Sequence, residues 1–146
     1  MNKKAAVGGV GDGRIAETFF RVAGRFHGEI ERALGEIGLS APTFLALKHL
    51  VRADAPLPLG ELAARTECGK SHMTQVVDRL EAEGLVSRTP DPDDRRSVRA
   101  GLTAEGRRRY DAGVRAVGGV EKAFVGRLSG RRRTEFLAAL EALLEA

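Results

Sequence analysis

The chain has 146 residues, of which 42% are hydrophobic and 30% charged. That suits one compact domain or subunit, on a scale of roughly 100–200 residues per domain, and excludes a disordered tail of one charge sign. Lys and Arg number 24 against 20 Asp and Glu, a net charge of +4 that leans toward a polyanionic partner.

No run of about 18 apolar residues is present, which argues against a membrane-spanning helix. Lys3 and Lys4 are not followed by an apolar stretch, so no secretory signal is expected and the expected compartment is the cytoplasm. The single cysteine, Cys68, excludes an intrachain disulfide framework. Aromatic residues are 5% with no Trp, against a base-stacking sheet for single strands. Nineteen of the 24 basic residues are Arg, suited to forked contacts with phosphate and guanine, but a GC-rich genome encoding Arg rather than Lys is the simpler reading, so composition alone is weak evidence.

Residues 1–13 hold several glycines and few large apolar groups, and read as a mobile tail. Gly9 and Gly11 do not form a nucleotide loop, because no strand precedes them and no Gly-Lys-Ser/Thr follows. From Arg14 to Ile37, apolar residues fall at Ile15, Phe19, Val22, Phe26, Ile30, Leu34 and Ile37, one stripe of a long helix ended by Gly38. Ser40 caps a second helix bearing Phe44, Leu47, Leu50 and Val51, which the stretch 54–58 breaks.

A short helix from Leu59 to about Thr66 follows, then a Glu67-Cys68-Gly69 turn, then a helix from Lys70 to Glu83 with Met73, Val76, Val77 and Leu80 on one face. Two helices joined by a short turn containing Gly have the helix-turn-helix signature. Residues 85–89 and 97–103 read as strands around a turn rich in Pro and Asp, a β-hairpin with a charged tip. Thr103 caps a long helix to about Leu128 with the stripe Tyr110, Val114, Val117, Val120, Phe124 and Leu128. Ser129 caps a last helix with Phe136, Leu137, Leu140, Leu143 and Leu144. The predicted fold is mainly α with a small β-hairpin wing.

On the 70–83 helix, Ser71, Thr74, Gln75 and Asp78 gather opposite the apolar face, with Lys70, His72 and Arg79 on the flanks. Short donors and acceptors of this kind read base edges: Gln pairs with adenine and Thr meets a thymine methyl. The plain alternative is a solvated polar face. The hairpin tip adds Asp93-Asp94-Arg95-Arg96, where Asp94 is placed to hold the Arg96 guanidinium and a narrow minor groove attracts inserted Arg. From Lys70 to Arg99, six basic residues face six acidic ones, so placement rather than bulk charge points to DNA.

The segment 59–103, LGELAARTECGKSHMTQVVDRLEAEGLVSRTPDPDDRRSVRAGLT, resembles the winged helix-turn-helix of the MarR family of bacterial transcription regulators. DPDDRRSVRAGLTAEG (91–106) is similar to that family's wing signature, Asp-x-Arg-Ser/Ala followed by Leu-Thr-x-x-Gly. The resemblance implies that Lys70, Ser71, Thr74 and Gln75 meet the major groove and Arg79 the DNA backbone. It implies that Arg96 enters the minor groove with Asp94 supporting it, while Arg95 touches phosphate. It divides the chain into the tail (1–13), dimerisation helices (14–37 and 104–146) and a winged DNA-binding domain (40–103). Its expected partners are a pseudo-palindromic double-stranded DNA operator, a second copy as homodimer, and a small aromatic or anionic effector.

Phe19, Phe26, His27 and Phe44 are candidate pocket residues for that effector, with Arg21 or Arg25 to meet an anion; core aromatics and surface arginines are the alternative reading. The family's urate-responsive branch uses a Trp and its hydroperoxide branch a Cys in the first helix, and this chain has neither there. Cys68 is a candidate redox residue because a helix N-terminus and Lys70 lie close in sequence, against its reading as a small buried hydrophobe. His27, His49 and His72 lack metal-ligand spacing, so no metal or other cofactor is expected. A long amphipathic helix before the wing and two after it favour a dimer over an intrachain bundle. A protein-interaction module without operator binding is the competing function. No nucleophile–base pair or phosphate loop supports an enzyme.

Overall fold

The structure is a computed structural model and describes residues 11–145. Most of the expected tail therefore lies outside the described residues, Lys3, Lys4 and Gly9 included. Six helices and three short strands follow one another: α1 (Arg14–Gly35), α2 (Ala41–Ala53), β1 (Leu57–Pro58), α3 (Leu59–Arg65), α4 (Lys70–Ala82), β2 (Val86–Pro90), β3 (Val98–Leu102), α5 (Ala104–Val125) and α6 (Gly130–Leu144).

The helix boundaries follow local chemistry. At the end of α1, Gly38 takes the left-handed φ of +73° while the Leu39 N–H closes back on the Leu34 carbonyl at 2.9 Å. Ser40, Thr103 and Ser129 each cap the next helix, their hydroxyls accepting from the N–H of Thr43, Gly106 and Arg132. Between α3 and α4, Glu67 carries the positive φ, 53°, while Gly69 is the extended N-cap of α4. The left-handed residue of this turn is therefore Glu67, two positions before its glycine.

The sheet is antiparallel with order β1-β3-β2. Val86 pairs with Leu102 and Pro90 with Val98, leaving 91–97 as the wing loop. Leu57 and Pro58 add a third strand against Ala100 and Arg99, inside a stretch expected only to break a helix. Two residues are too few to show alternation, and Pro58 is tolerated because β1 is an edge.

The core lies between Leu34 and Ala100. Leu34, Leu47, Leu50, Leu62, Met73, Val77, Leu80 and Leu85 are sealed from solvent, joining α2, α3 and α4 to the sheet. Truncating any of these leucines to alanine costs about 2–5 kcal/mol. Leu34 brings α1 into this core, while Ile30 of α1, Ile37 just beyond its end, and Tyr110 and Val117 of α5 pack at its margin. Elsewhere α1 and α5 pack along each other, with the Phe26 and Phe124 rings 4.6 Å apart. No residue of α6 is buried. Among the described residues, no helix is long and apolar enough to cross a membrane.

Candidate nucleic-acid interface

α4 is held from below. Met73, Val76, Val77 and Leu80 are buried, so the 3.6-residue period turns Lys70, Ser71, Thr74, Gln75, Asp78 and Arg79 outward, and all six are exposed. The structure thus brings the five candidate residues of this helix onto one open surface. Gly69 supplies no side-chain cap, so first-turn N–H groups of α4 keep free hydrogen-bonding capacity beside Lys70. Thr74 Oγ1 donates to the Lys70 carbonyl at 3.0 Å, leaving its methyl and lone pairs for an incoming partner.

The second element is the wing. The Asp93 N–H donates to Asp91 Oδ1 at 3.0 Å and the Ser97 N–H to the Asp94 carbonyl at 3.0 Å, which folds the loop into consecutive turns. Asp94 does support Arg96, but through the backbone: its Oδ1 accepts the Arg96 N–H at 2.9 Å and does not hold the guanidinium. A carboxylate two residues upstream reaches the main chain more readily than a long side chain directed away from it.

The even count of charges in this segment resolves into geometry. Arg88 on β2 pairs with Asp78 and reaches Glu81 at 3.4 Å. Arg99 on β3 pairs with Asp91 at 3.1 Å and Asp93 at 3.3 Å. Glu83 takes Arg79 at 3.3 Å, and Asp94 is committed to the backbone. Every acidic side chain thus has a partner. Among the described residues, Lys70, Arg95 and Arg96 have no carboxylate within ion-pairing distance and are exposed, at the start of α4 and at the wing tip. Bulk neutrality and local positive charge coexist because Arg88 and Arg99 consume the acids.

Arg88, Arg99 and Asp91 carry this arrangement and escape sequence reading, since their pairing depends on strand register. Only the two-residue spacing of Arg88 from buried Val86, which puts both on one face of the strand, hints at it. Asp91 is nearly buried, and its carboxyl lies below the ordinary value, first through the Asp93 N–H and then through Arg99. A depressed carboxylate contributes stability above its unfolded value and loses it as pH falls through the folded one, so the wing stays latched at neutral pH.

The four aromatic pocket candidates do not converge. Phe19 and Phe26 line a groove of about 810 Å³ between α1, α5 and α6, with Val22, Phe124, Phe136 and Leu140. Phe44 is elsewhere, stacked on Tyr110 at 5.4 Å against the core. The exposed His27 lies 3.8 Å from Glu31 on its own helix. Helical spacing put His27 beside Phe26 in sequence but a hundred degrees away in space. Arg21 and Arg25 edge an adjoining groove with Arg127.

Cys68 is half-buried against the core, its Sγ 3.2 Å from Thr66 Oγ1. Among the described residues, no three His, Cys, Asp or Glu side chains group as a metal site.

The family model for the MarR family matches residues 39–98, which span α2 to the start of β3. The HTH-type transcriptional repressor Rv2887 of Mycobacterium tuberculosis is 32% identical over 135 residues, covering 90% of this chain and 94% of its own. A probable transcriptional regulator from Pseudomonas aeruginosa superposes with a TM-score of 0.78 at 26% identity, over 90% of this chain and 98% of that one. CouR from Rhodococcus jostii RHA1, crystallised with p-coumaroyl-CoA, superposes with a TM-score of 0.72 at 27% identity, over 88% and 90% of the two chains. The protein belongs to the MarR family: it is a winged-helix, DNA-binding transcriptional regulator and not an enzyme.

Proposed function

We propose that the protein is a homodimeric repressor that binds a pseudo-palindromic operator and is released by a small ligand. The observation that carries the reading is the exposed polar face of α4 beside a wing tip whose two arginines are free of carboxylates. Ser71, Thr74 and Gln75 read base edges in the major groove, and Arg96 enters the flanking minor groove. Lys70, Arg79 and Arg95 fix the register through phosphates. Gln75→Ala is expected to relax preference at one base position per half-site, by about 1–3 kcal/mol, in a binding-site selection. A uniform loss across positions would make Gln75 a phosphate contact instead.

Dimerisation is supported by what the single chain leaves uncovered. Phe20 is 72% exposed, Leu137 56% and Leu144 87%, and the Phe19–Val22 stretch faces the same solvent. With Val114 of α5 46% exposed as well, apolar surface stays open on three amphipathic helices, which marks a partner-binding face. A second copy related by a twofold axis would set the two α4 helices roughly 34–36 Å apart, one DNA turn. Leu137→Asp is expected to leave the monomer folded, to shift sedimentation to the monomer at micromolar concentration, and to weaken operator binding at least ~10-fold. A variant that sediments as a dimer would remove α6 from the interface.

CouR's bound p-coumaroyl-CoA supports response to an aromatic, anionic effector. Phe19 and Phe26 in the helical groove, with Arg21 and Arg25 in the adjoining one, offer the matching chemistry. A ligand that prefers the dimer with misplaced α4 helices lowers operator affinity by linkage.

Selection from a random duplex library tests the reading. A palindromic motif with half-sites one turn apart and a steep salt slope is expected. Absence of any motif, with salt-insensitive retention, would favour a helical dimer that binds protein.

A further inference from the structure

We propose that Arg109 is a positioning residue for operator binding: it fixes the far end of the recognition helix to the long helices, with Glu83 as its acceptor. The proposal rests on the operator-binding reading above. It assigns Arg109 no contact with DNA.

Arg109 projects from α5 into the junction of three helices. Its Nη1 donates to the Ile37 carbonyl, in the link between α1 and α2, at 2.9 Å. The same nitrogen lies 3.5 Å from Glu83 Oε2, and Glu83 is the C-cap residue of α4. Nη2 is 3.9 Å from Glu105 on its own helix. One guanidinium nitrogen therefore ties α5 both to the exit of α1 and to the end of α4.

The backbone makes room for this joint. A Cβ on Gly38 would stand 2.8 Å from Arg109 Nη1, and Gly38 also needs its φ of +73°. The side chains of Arg109 and Glu83 are 27% and 33% exposed, so water screens the pair less than it screens a surface pair.

Glu83 is shared. Its Oε1 accepts from Arg79 Nε at 3.3 Å while Oε2 faces Arg109. When Arg79 turns to a phosphate, Glu83 is left to Arg109 and the joint tightens as DNA binds. A dimer with loose α4 helices must order them at binding, which lowers affinity. The helices that build the proposed dimer and the helix that reads DNA thus meet at this cluster.

The test uses the full chain and its selected operator. Arg109→Met is expected to weaken operator binding about 10-fold, the size of one coupled contact, with sedimentation and the salt slope unchanged. Arg79→Met, by contrast, should reduce that slope by about 1. In DNA-free dimers carrying Cys68→Ala and a spin label at His72→Cys, the label–label distance distribution should broaden with Arg109→Met. Glu83→Met should broaden it as far, and the double variant no further. If Arg109→Met fails to fold, Glu83→Met carries the same expectation on the spin-label distance, where the freed charge of Arg79 does not enter.

Unchanged affinity and width would overturn the proposal. So would a salt slope lowered by Arg109→Met, which would make Arg109 a phosphate contact, or additive broadening, which would separate the two residues. Failure of the operator reading is distinguishable, because the unsubstituted protein would then select no motif.

Discussion

Replacing Gly106 by alanine is expected to destabilise the fold by more than about 3 kcal/mol, the upper range for overpacking, and to leave little folded protein at 37 °C. The added Cβ would stand 2.0 Å from the Leu85 carbonyl oxygen and 2.9 Å from Leu102 Cδ1. The oxygen cannot move aside. It accepts the Thr103 N–H at 3.1 Å, while the Leu85 N–H is bound to the Leu80 carbonyl at 2.8 Å. Leu85 itself is fully buried. Moving it would break the cap of α5 and the end of α4 together. Gly24→Ala is the control: it lies on the exposed face of α1, a Cβ there meets nothing within 4 Å, and a helix gains about 0.5–1 kcal/mol from Gly→Ala. Thermal and urea unfolding of the two variants should move in opposite directions. Equal midpoints would mean that α5 does not sit this close to the turn after α4.

Arg96→Ala is expected to cost about 1–3 kcal/mol of operator affinity while thermal unfolding stays within a degree or two of the unsubstituted protein. The fold loses nothing, because what Asp94 holds is the backbone N–H of residue 96, which alanine keeps. The wing is latched independently, by Arg99 on Asp91 and Asp93. The operator loses a guanidinium at the groove flank, so the loss should be larger for AT-rich flanks, whose minor groove is narrower and more negative. Titrations against operators differing only in those flanks measure this. Equal losses on both would reduce Arg96 to a phosphate contact.

Local chemistry made much of the fold legible. The stripes of α1, α4, α5 and α6, the Ser40, Thr103 and Ser129 caps, and Gly38 as a helix terminator all act within one or two turns of themselves. The Leu-Thr-x-x-Gly resemblance located Thr103 and Gly106, and the structure supplies the reason for both: a hydroxyl donating to the Gly84 carbonyl at 2.7 Å and a backbone approach that only glycine permits.

What stayed hidden was made by partners distant in sequence. β1 exists only because β3 offers it an edge. Arg88 and Arg99 neutralise acids across strand and helix boundaries that periodicity does not encode. Phe44 looked like Phe26 in sequence, yet one stacks on Tyr110 at the core and the other packs tilted against Phe124 in the helical groove.

DNA is expected to meet the outer face of α4 and the wing tip, and no other surface of the chain. The direct measurement is an amide and side-chain NMR titration of the protein with its selected operator at moderate salt. Perturbations should concentrate at residues 70–79 and 94–96, with the Gln75 amide and the Arg96 guanidinium moving most. Perturbations centred instead on the apolar groove of α1, α5 and α6, or spread evenly over the basic surface, would contradict it.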